Sequence, residues 1–286
     1  MSEQKSELIL TLSCLDRPGI VAGVAGTLAN AGCNILDSAQ FRDKETGLFF
    51  MRVLFEVASD VTAADVSGAL KPVAKRFEMD WAVHQAARKA RLLILVSKFD
   101  HCLQDLLYRV KVGALPVEIV AIVSNHEDTR ATAEHNGIPF HYWPVTKDSK
   151  AEQEARIVEL VQAQQIDLVV LARYMQILST EMSNALLGKA INIHHSFLPA
   201  FKGATPYQQA HARGVKLIGA TAHYVTAGLD EGPIIEQDVE RVTHAQTAAE
   251  LVAIGRDIEA RVLARAVRYH VEHRVFLAGV KTVVFS

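Results

Sequence analysis

The sequence has few cysteines and almost no excess of charge. Cys14, Cys33 and Cys102 are odd in number and far apart, so they fit neither a disulfide framework nor a paired zinc-knuckle spacing. Thirty Lys and Arg stand against 32 Asp and Glu, giving a net charge of -2, so nothing in the bulk charge draws the chain to nucleic acid or to an anionic membrane. A small molecule is the expected partner.

Long apolar runs are also missing. No stretch approaches the roughly 20 apolar residues needed to span a bilayer. The N-terminal segment MSEQKSE is polar and lacks the apolar region of a secretory signal. Half of the 286 residues are hydrophobic, which is enough for the packed cores of two domains. We therefore predict a two-domain cytoplasmic protein.

The first 84 residues follow the order βαββαβ. The strand patterns cover residues 7–13, 35–41, 48–57 and 80–84, and the helical patterns cover residues 16–30 and 63–77. We place Asp16 as the N-cap of the first helix, with Pro18 in its first turn. This order predicts a ferredoxin-like antiparallel sheet with both helices on one face, over residues 1–84.

A basic linker at residues 85–91 precedes a segment with a different order of secondary-structure patterns. Strand and helix patterns alternate from there on: strands at 92–96, 118–124 and 167–171, and helices at 103–111, 129–135 and 151–164. The strands are continuously apolar, which is typical of a parallel sheet that is covered on both faces. We predict a doubly wound, mostly parallel, Rossmann-like α/β domain over residues 92–286.

Polar side chains gather at the end of one apolar strand. Asn192 and His194 are two residues apart, so on a strand they point to the same face. An amide and an imidazole on one face suit an acyl centre, whose oxygen gains negative charge in a tetrahedral intermediate. Two hydrogen-bonded core residues would give the same pattern. A strand of small and polar residues at 219–225 and a glycine-bounded loop carrying Asp230 favour the chemical interpretation.

The 12 histidines raise the possibility of a metal site. His270 and His273 lie three residues apart on a helical pattern, but no HExxH or CxxC motif accompanies them. Adjacent His194 and His195 point to opposite faces of a strand. We predict no metal.

Three segments carry a family resemblance. LARYMQILS at 171–179, NIHHSFLP at 192–199 and LDEGPII at 229–235 resemble the signature segments of the folate-dependent formyltransferase family, from about Arg91 onward. The resemblance implies that Asn192 and His194 stabilise an oxyanion and that Asp230 sets the protonation of His194. It also implies eight folate-binding positions: Met175, Gln176, Ile177, Leu178, Val225, Gly228, Leu229 and Gly232.

The first domain resembles an ACT domain, because the sequence DRPGI at 16–20 lies at its first strand-to-helix turn. The resemblance implies an amino-acid effector, with glycine and methionine as the candidates, or a domain that only builds oligomers. A homo-oligomer, with a tetramer as the leading candidate, follows from the same resemblance. The implied effector positions are Asp16, Gly19, Ile20, Asn34 and Ile35.

An ACT-like domain ahead of a formyltransferase-like domain resembles the family of 10-formyltetrahydrofolate deformylases. That family implies hydrolysis of 10-formyltetrahydrofolate to formate and tetrahydrofolate, which supplies formate to purine synthesis and balances the one-carbon folate pools. Water is then the co-substrate and no cofactor is needed. Two alternatives stay open: formyl transfer to an amine, and a non-catalytic sensor of an amino acid and folate.

One stretch of the chain argues against glycinamide ribonucleotide formyltransferase. Residues 97–102 contain no glycine, whereas that enzyme holds the phosphate of its acceptor on a glycine-rich loop at this point. Methionyl-tRNA formyltransferase is disfavoured because we expect no tRNA-binding extension after the catalytic domain. Thr205 and Gln209 stand where deformylases usually carry Asn and His, and neither can copy the proton chemistry of an imidazole. We leave both out of the catalytic set.

Overall fold

The structure, a computed structural model, describes residues 5–58, 60–199 and 206–286. The chain divides into two compact units. The first contains Met1–Arg88, Glu272–Phe276 and Val283–Ser286, and the second contains Lys89–Val271 and Leu277–Thr282. Among the described residues, no helix has the length and apolar character that crossing a membrane requires.

The first unit has the predicted βαββαβ order. Its elements are β1 (Lys5–Leu15), α1 (Ile20–Asn30), β2 (Asn34–Arg42), β3 (Leu48–Ala58), α2 (Ala63–Phe77) and β4 (Asp80–Gln85). The sheet is antiparallel in the order β2-β3-β1-β4. Alternate residues of the strands, such as Leu10, Met51 and Phe55, pack with Val24 and Leu70 of the helices in one apolar core. The period of two along each strand therefore buries one sheet face under both helices.

The opposite face of this sheet is covered by the C-terminal segment. Phe50 packs edge to face on Phe276 with ring centroids 5.7 Å apart, and the buried Arg52 donates from Nε to the backbone oxygen of Glu272 over 3.1 Å. Residues 272–276 and 283–286 thus belong to the first unit, whereas the sequence analysis counted them with the second domain. Strand β3 carries bulky or charged side chains on both faces, so both faces are stabilised when other parts of the chain pack against them.

The first strand-to-helix turn differs from the prediction. Gly19, at a φ of 94°, is the N-cap of α1, so the placement of Asp16 as N-cap was wrong. Asp16 pairs instead with Arg42 Nε over 2.8 Å. A left-handed residue is needed to turn the chain from the extended strand into the helix, and glycine adopts that conformation at no steric cost.

The second unit is a seven-stranded sheet with helices between the strands. Its strands are β5 (Ala90–Val96), β6 (Val117–Ser124), β7 (Phe140–Tyr142), β8 (Leu168–Ala172), β9 (Ala190–His194), β10 (Leu217–Tyr224) and β11 (Ile234–Arg241). Its helices are α3 (His101–Lys111), α4 (Arg130–His135), α5 (Lys150–Ala163), α6 (Thr180–Ala185), α7 (Pro206–Arg213) and α8 (Ala248–Val271). A terminal hairpin of β12 (Val275–Ala278) and β13 (Lys281–Val284) follows.

The strand order of the large sheet is β11-β10-β9-β8-β5-β6-β7. The five strands from β9 to β7 are parallel, and β10 and β11 add to the β9 edge in antiparallel fashion. The central strands are buried throughout, as the apolar runs predicted. The predicted mostly parallel α/β fold is confirmed, and the carboxyl ends of β8 and β9 open side by side, where such sheets bind ligands.

Candidate active site

Strands β9 and β10 bring an asparagine and two histidines together. Asn192 and His194 lie on one face of β9, and β10 pairs with it so that His223 stands opposite Asn192 and Thr221 stands opposite His194. The Nδ2 atom of Asn192 lies 3.3 Å from Nε2 of His223. The two histidines are almost wholly buried and Asn192 is half-buried, so a tight cluster of polar groups sits under the surface at this point.

Asp230 reaches the cluster from the loop that follows β10. Its Oδ2 lies 3.2 Å from Nδ1 of His194, and its Oδ1 lies 3.7 Å from Nε2 of His223. Burial alone would raise the pKa of Asp230, but the hydrogen bond from His194 and the nearby ring of His223 outweigh it and hold that pKa well below its usual range. Asp230 is therefore a carboxylate at neutral pH, and its left-handed backbone, with φ at 56°, aims it back at the sheet.

His194 is oriented by this carboxylate. Because a carboxylate only accepts, Nδ1 of His194 carries the proton that faces Asp230. The other ring nitrogen, Nε2, is buried and has no hydrogen-bond partner among the described residues. A buried nitrogen without a partner costs free energy unless something binds it. The arrangement leaves one nitrogen of His194 available to a ligand.

A cleft of about 300 Å³ opens over these side chains. Asn192, His194, Asp230 and His223 line its polar end. Its other walls come from the ends of β8 and β10 and include seven of the eight predicted folate positions: Met175, Gln176, Ile177, Leu178, Val225, Gly228 and Leu229. An apolar cleft with a few convergent polar groups is typical of a small-molecule site.

The eighth position, Gly232, lies elsewhere. It is buried against the backbone of β10, and a Cβ atom placed on it would fall 1.7 Å from the carbonyl oxygen of Tyr224. Gly232 is not among the residues that line the cleft. The glycine is required by close backbone packing, which the sequence pattern alone cannot distinguish from contact with a ligand.

Comparison with known proteins agrees with this geometry. Residues 90–267 match the formyl transferase family model, and residues 8–71 match the ACT domain model. A formyltetrahydrofolate deformylase of Corynebacterium sp. (strain P-1) is 51% identical, over 99% of this chain and 99% of its own length. The chain belongs to the formyltetrahydrofolate deformylase family.

Two further relatives support membership of the deformylase family. The formyltetrahydrofolate deformylase of Bacillus subtilis (strain 168) is 48% identical, over 100% of this chain and 95% of its own length. The crystal structure of a formyltetrahydrofolate deformylase from Burkholderia mallei ATCC 23344 superposes with a TM-score of 0.93 at 52% identity, and the match covers 98% of this chain and 100% of that one. The likeness to the deformylase family therefore extends over both units.

The stretch after β5 is tied into the wall of the cleft. Ser97 Oγ donates to Oδ1 of Asn125 over 2.7 Å and accepts from the backbone N–H of Met175 over 2.9 Å. Helix α3 then begins after Asp100, whose carboxylate stands at the helix N-terminus. A negative charge there opposes phosphate binding. The carboxylate of Asp100 therefore separates this deformylase-family chain from a transferase that holds a phosphate at this position.

A second buried cluster lies beside the cleft and was missed by the sequence analysis. Glu259 of α8 is 1% exposed; its carboxylate lies 2.9 Å from His101 Nε2 and 3.3 Å from Arg173 Nε, and accepts from the hydroxyl of Tyr207 over 2.8 Å. Burial alone would raise the pKa of Glu259, but the hydrogen bond from His101 and the charge of Arg173 outweigh it and lower that pKa. Arg173 also lines the cleft.

This second cluster also contains a candidate set of metal ligands. His101, Cys102 and Glu259 have ligand atoms within 4.8 Å of one another. The guanidinium of Arg173 already neutralises Glu259, and burial raises the pKa of the Cys102 thiol well above its usual value, so that it stays protonated. These charges disfavour a bound cation, and the absence of a metal stays a prediction.

The remaining sequence predictions have mixed outcomes. Thr205 lies outside the described residues, and Gln209 is exposed on α7. Among the proposed effector positions, Ile20 is buried in the core of the first unit, and Asn34 donates from Nδ2 to Glu56 over 2.9 Å. The position of His223 in the sequence could have identified it as a site residue, since it lies on the small-residue strand just before the loop of Asp230. The sequence predictions assigned it no role.

Proposed function

We propose that the chain hydrolyses 10-formyltetrahydrofolate to formate and tetrahydrofolate, with water as the only co-substrate and without a further cofactor. The observation that carries the proposal is the cluster of Asn192, His194 and Asp230 at the polar end of the cleft. The same cluster supports the catalytic assignment of these three residues. Membership of the deformylase family supports the choice of reaction.

The geometry supports a route through a tetrahedral intermediate. Water adds to the formyl carbon and gives a proton to the bare Nε2 of His194, and the formyl oxygen becomes an oxyanion that accepts hydrogen bonds from the amide of Asn192 and from the new N–H at Nε2. The bond from carbon to N10 then breaks as N10 takes this proton from Nε2 of His194, and the formic acid that leaves loses its remaining proton to solvent as formate. Asp230 holds Nδ1 of His194 throughout, which keeps Nε2 directed to the reacting oxygen.

The apolar walls of the cleft support the folate assignment. Met175, Ile177 and Leu229 are 44%, 61% and 55% exposed, although they belong to loops around a buried polar cluster. Exposed apolar side chains at a cleft gain free energy when a flat aromatic ligand covers them. We assign these loops to the pterin and the adjoining ring of the substrate.

The decisive experiment measures formate and tetrahydrofolate released from 10-formyltetrahydrofolate by the purified protein, with no amine present. We expect equal amounts of both products. Asp230→Asn should retain the fold and lower kcat by about 10²-fold to 10⁴-fold, because His194 loses the acceptor that orients it. The exposed Asp148 gives the matched control, Asp148→Asn, which should leave kcat unchanged.

Other outcomes would redirect the assignment. Binding of the folate without release of formate would favour transfer to an amine or a sensor role. Release that is equally fast in Asp230→Asn would reject the role given to Asp230. Treatment with EDTA should leave the activity intact, and a loss restored by one divalent ion would overturn the proposal that no cofactor is needed.

We further propose that the ACT domain binds a glycine or methionine effector and joins subunits in a homo-oligomer, with a tetramer as the expected state. The edge strand β2 supports an interface, because it exposes Ile35, Leu36 and Phe41. Light scattering of the intact protein tests the oligomer, and kcat measured with each amino acid tests the effector. A location in the cytoplasm stays a prediction of the sequence.

A further inference from the structure

We propose that His223 is a positioning residue that orients the amide of Asn192, so that the amide nitrogen and not its oxygen is offered to the formyl group. The inference deepens the proposed function and rests on it. It starts from the shared contact of these two side chains, which are direct partners on neighbouring strands with Nδ2 and Nε2 3.3 Å apart. Neither the sequence nor the family resemblance assigned a role to His223.

The tautomer of His223 follows from its other ring nitrogen. Nδ1 lies 2.9 Å from the backbone oxygen of Tyr224, and a carbonyl oxygen can only accept. Nδ1 therefore carries the proton. In the neutral ring, Nε2 is then a bare acceptor, and the group that faces it must be a donor. This requirement places the NH₂ of Asn192 against His223 and leaves the second N–H of that amide for a ligand.

The backbone around Tyr224 keeps this carbonyl in place. The N–H of Tyr224 donates to the oxygen of Pro233 over 2.9 Å, and the Tyr224 hydroxyl lies 2.7 Å from Nδ1 of His270. Gly232 packs so closely that its missing Cβ atom would lie 1.7 Å from the Tyr224 oxygen and 3.3 Å from Nδ1 of His223. The tautomer of His223 is thus set by rigid backbone, and it does not depend on a mobile side chain.

Protonation of His223 would reverse the arrangement. Among the described residues, the charged group that faces Nε2 is Asp230, 3.7 Å away, and Asp230 in turn contacts His194. A proton on Nε2 would be drawn to Asp230 and would oppose the NH₂ of Asn192. The orientation of the Asn192 amide therefore depends on a bare Nε2 in His223.

Two substitutions separate positioning from simple packing. His223→Leu keeps the bulk of the ring but removes the acceptor, so kcat should fall about 10-fold to 100-fold with little change in the KM for the folate. His223→Gln can place its amide oxygen near the Nε2 position as an acceptor, so it should recover most of the lost kcat. The exposed His135→Leu is the control for loss of a histidine.

A readout that does not depend on activity completes the test. The side-chain NH₂ signal of Asn192 in the ¹⁵N-labelled intact protein, identified by its loss in Asn192→Ala, should shift in His223→Leu and stay near its native position in His223→Gln. If the native protein releases no formate while this signal responds as expected, the proposed function fails and the positioning role stands. The positioning role would be overturned if the native protein released formate but the Asn192 side-chain signal stayed unchanged in His223→Leu. It would also be overturned if His223→Gln were as slow as His223→Leu.

Discussion

Among the described residues, the first unit buries one charged or polar side chain, Arg52, whereas the second unit, about twice as long, buries fourteen. The core of the first unit is apolar, and its ion pair of Arg17 with Glu78 lies on the surface. In the second unit, His194, His223 and Glu259 are all under 6% exposed. The interior of the first unit is thus almost entirely apolar, whereas the interior of the second unit contains many polar and charged side chains.

The difference locates the polar groups whose burial lowers the stability of the fold unless they have partners. A buried polar group destabilises the fold unless it has partners, so a concentration of such groups needs an explanation beyond packing. In the second unit, five of these groups line the cleft: Arg173, Ser183, His194, His195 and His223. The first unit carries no comparable cluster within its described residues.

The largest effect is expected at the buried carboxylate of the second unit. Glu259→Gln leaves the guanidinium of Arg173 buried without a counter-charge, and we expect the free energy of unfolding to fall by about 3–5 kcal/mol. Chemical denaturation of the intact protein measures the change. Glu78→Gln removes the surface partner of Arg17 in the first unit and should change nothing measurable. Equal effects in the two variants would remove the contrast between the units.

A pH effect of intermediate size is expected at His270. Burial lowers its pKa to about 4, below the value of about 6.5 in an unfolded chain. The unfolded state therefore binds more protons between these values, and stability falls as the pH drops from about 6.5 to about 4, by about 1–3 kcal/mol. His270→Gln should flatten this slope, whereas the exposed His135→Gln should keep it. A slope that survives in His270→Gln would show that other groups cause it.

The smallest effects compare one substitution in the helices of both units. Gly255 in α8 faces the ring of Tyr207, and an added Cβ atom would lie 2.1 Å from Cζ, so Gly255→Ala should destabilise the protein by about 1–3 kcal/mol. Gly68 in α2 has nothing within 4 Å of its added Cβ atom, so Gly68→Ala should stabilise by up to about 1 kcal/mol. Thermal unfolding measures the stability of both variants. Stability changes of the same sign would contradict the difference in free space between the two glycine positions.

Much of the architecture follows from local sequence. Alternating side chains in the first unit and continuous apolar runs in the second predict an antiparallel sheet and a mostly parallel sheet, because burial on one face or two leaves a period that can be read directly. The same period places Asn192 and His194 on one face of β9. The glycine-bounded loop marks Asp230 as a candidate, but no sequence pattern predicts the distance from Asp230 to His194.

Tertiary structure alone decided the rest. His223 reaches Asn192 through strand pairing, and Glu259 reaches Arg173 and His101 across more than 80 residues of chain, so no local pattern signals either contact. The packing of residues 272–276 with the first unit and the steric requirement for Gly232 are of the same kind. Sequence period reports which face of an element is buried, but the partner of a buried polar group depends on which distant elements the fold brings against it.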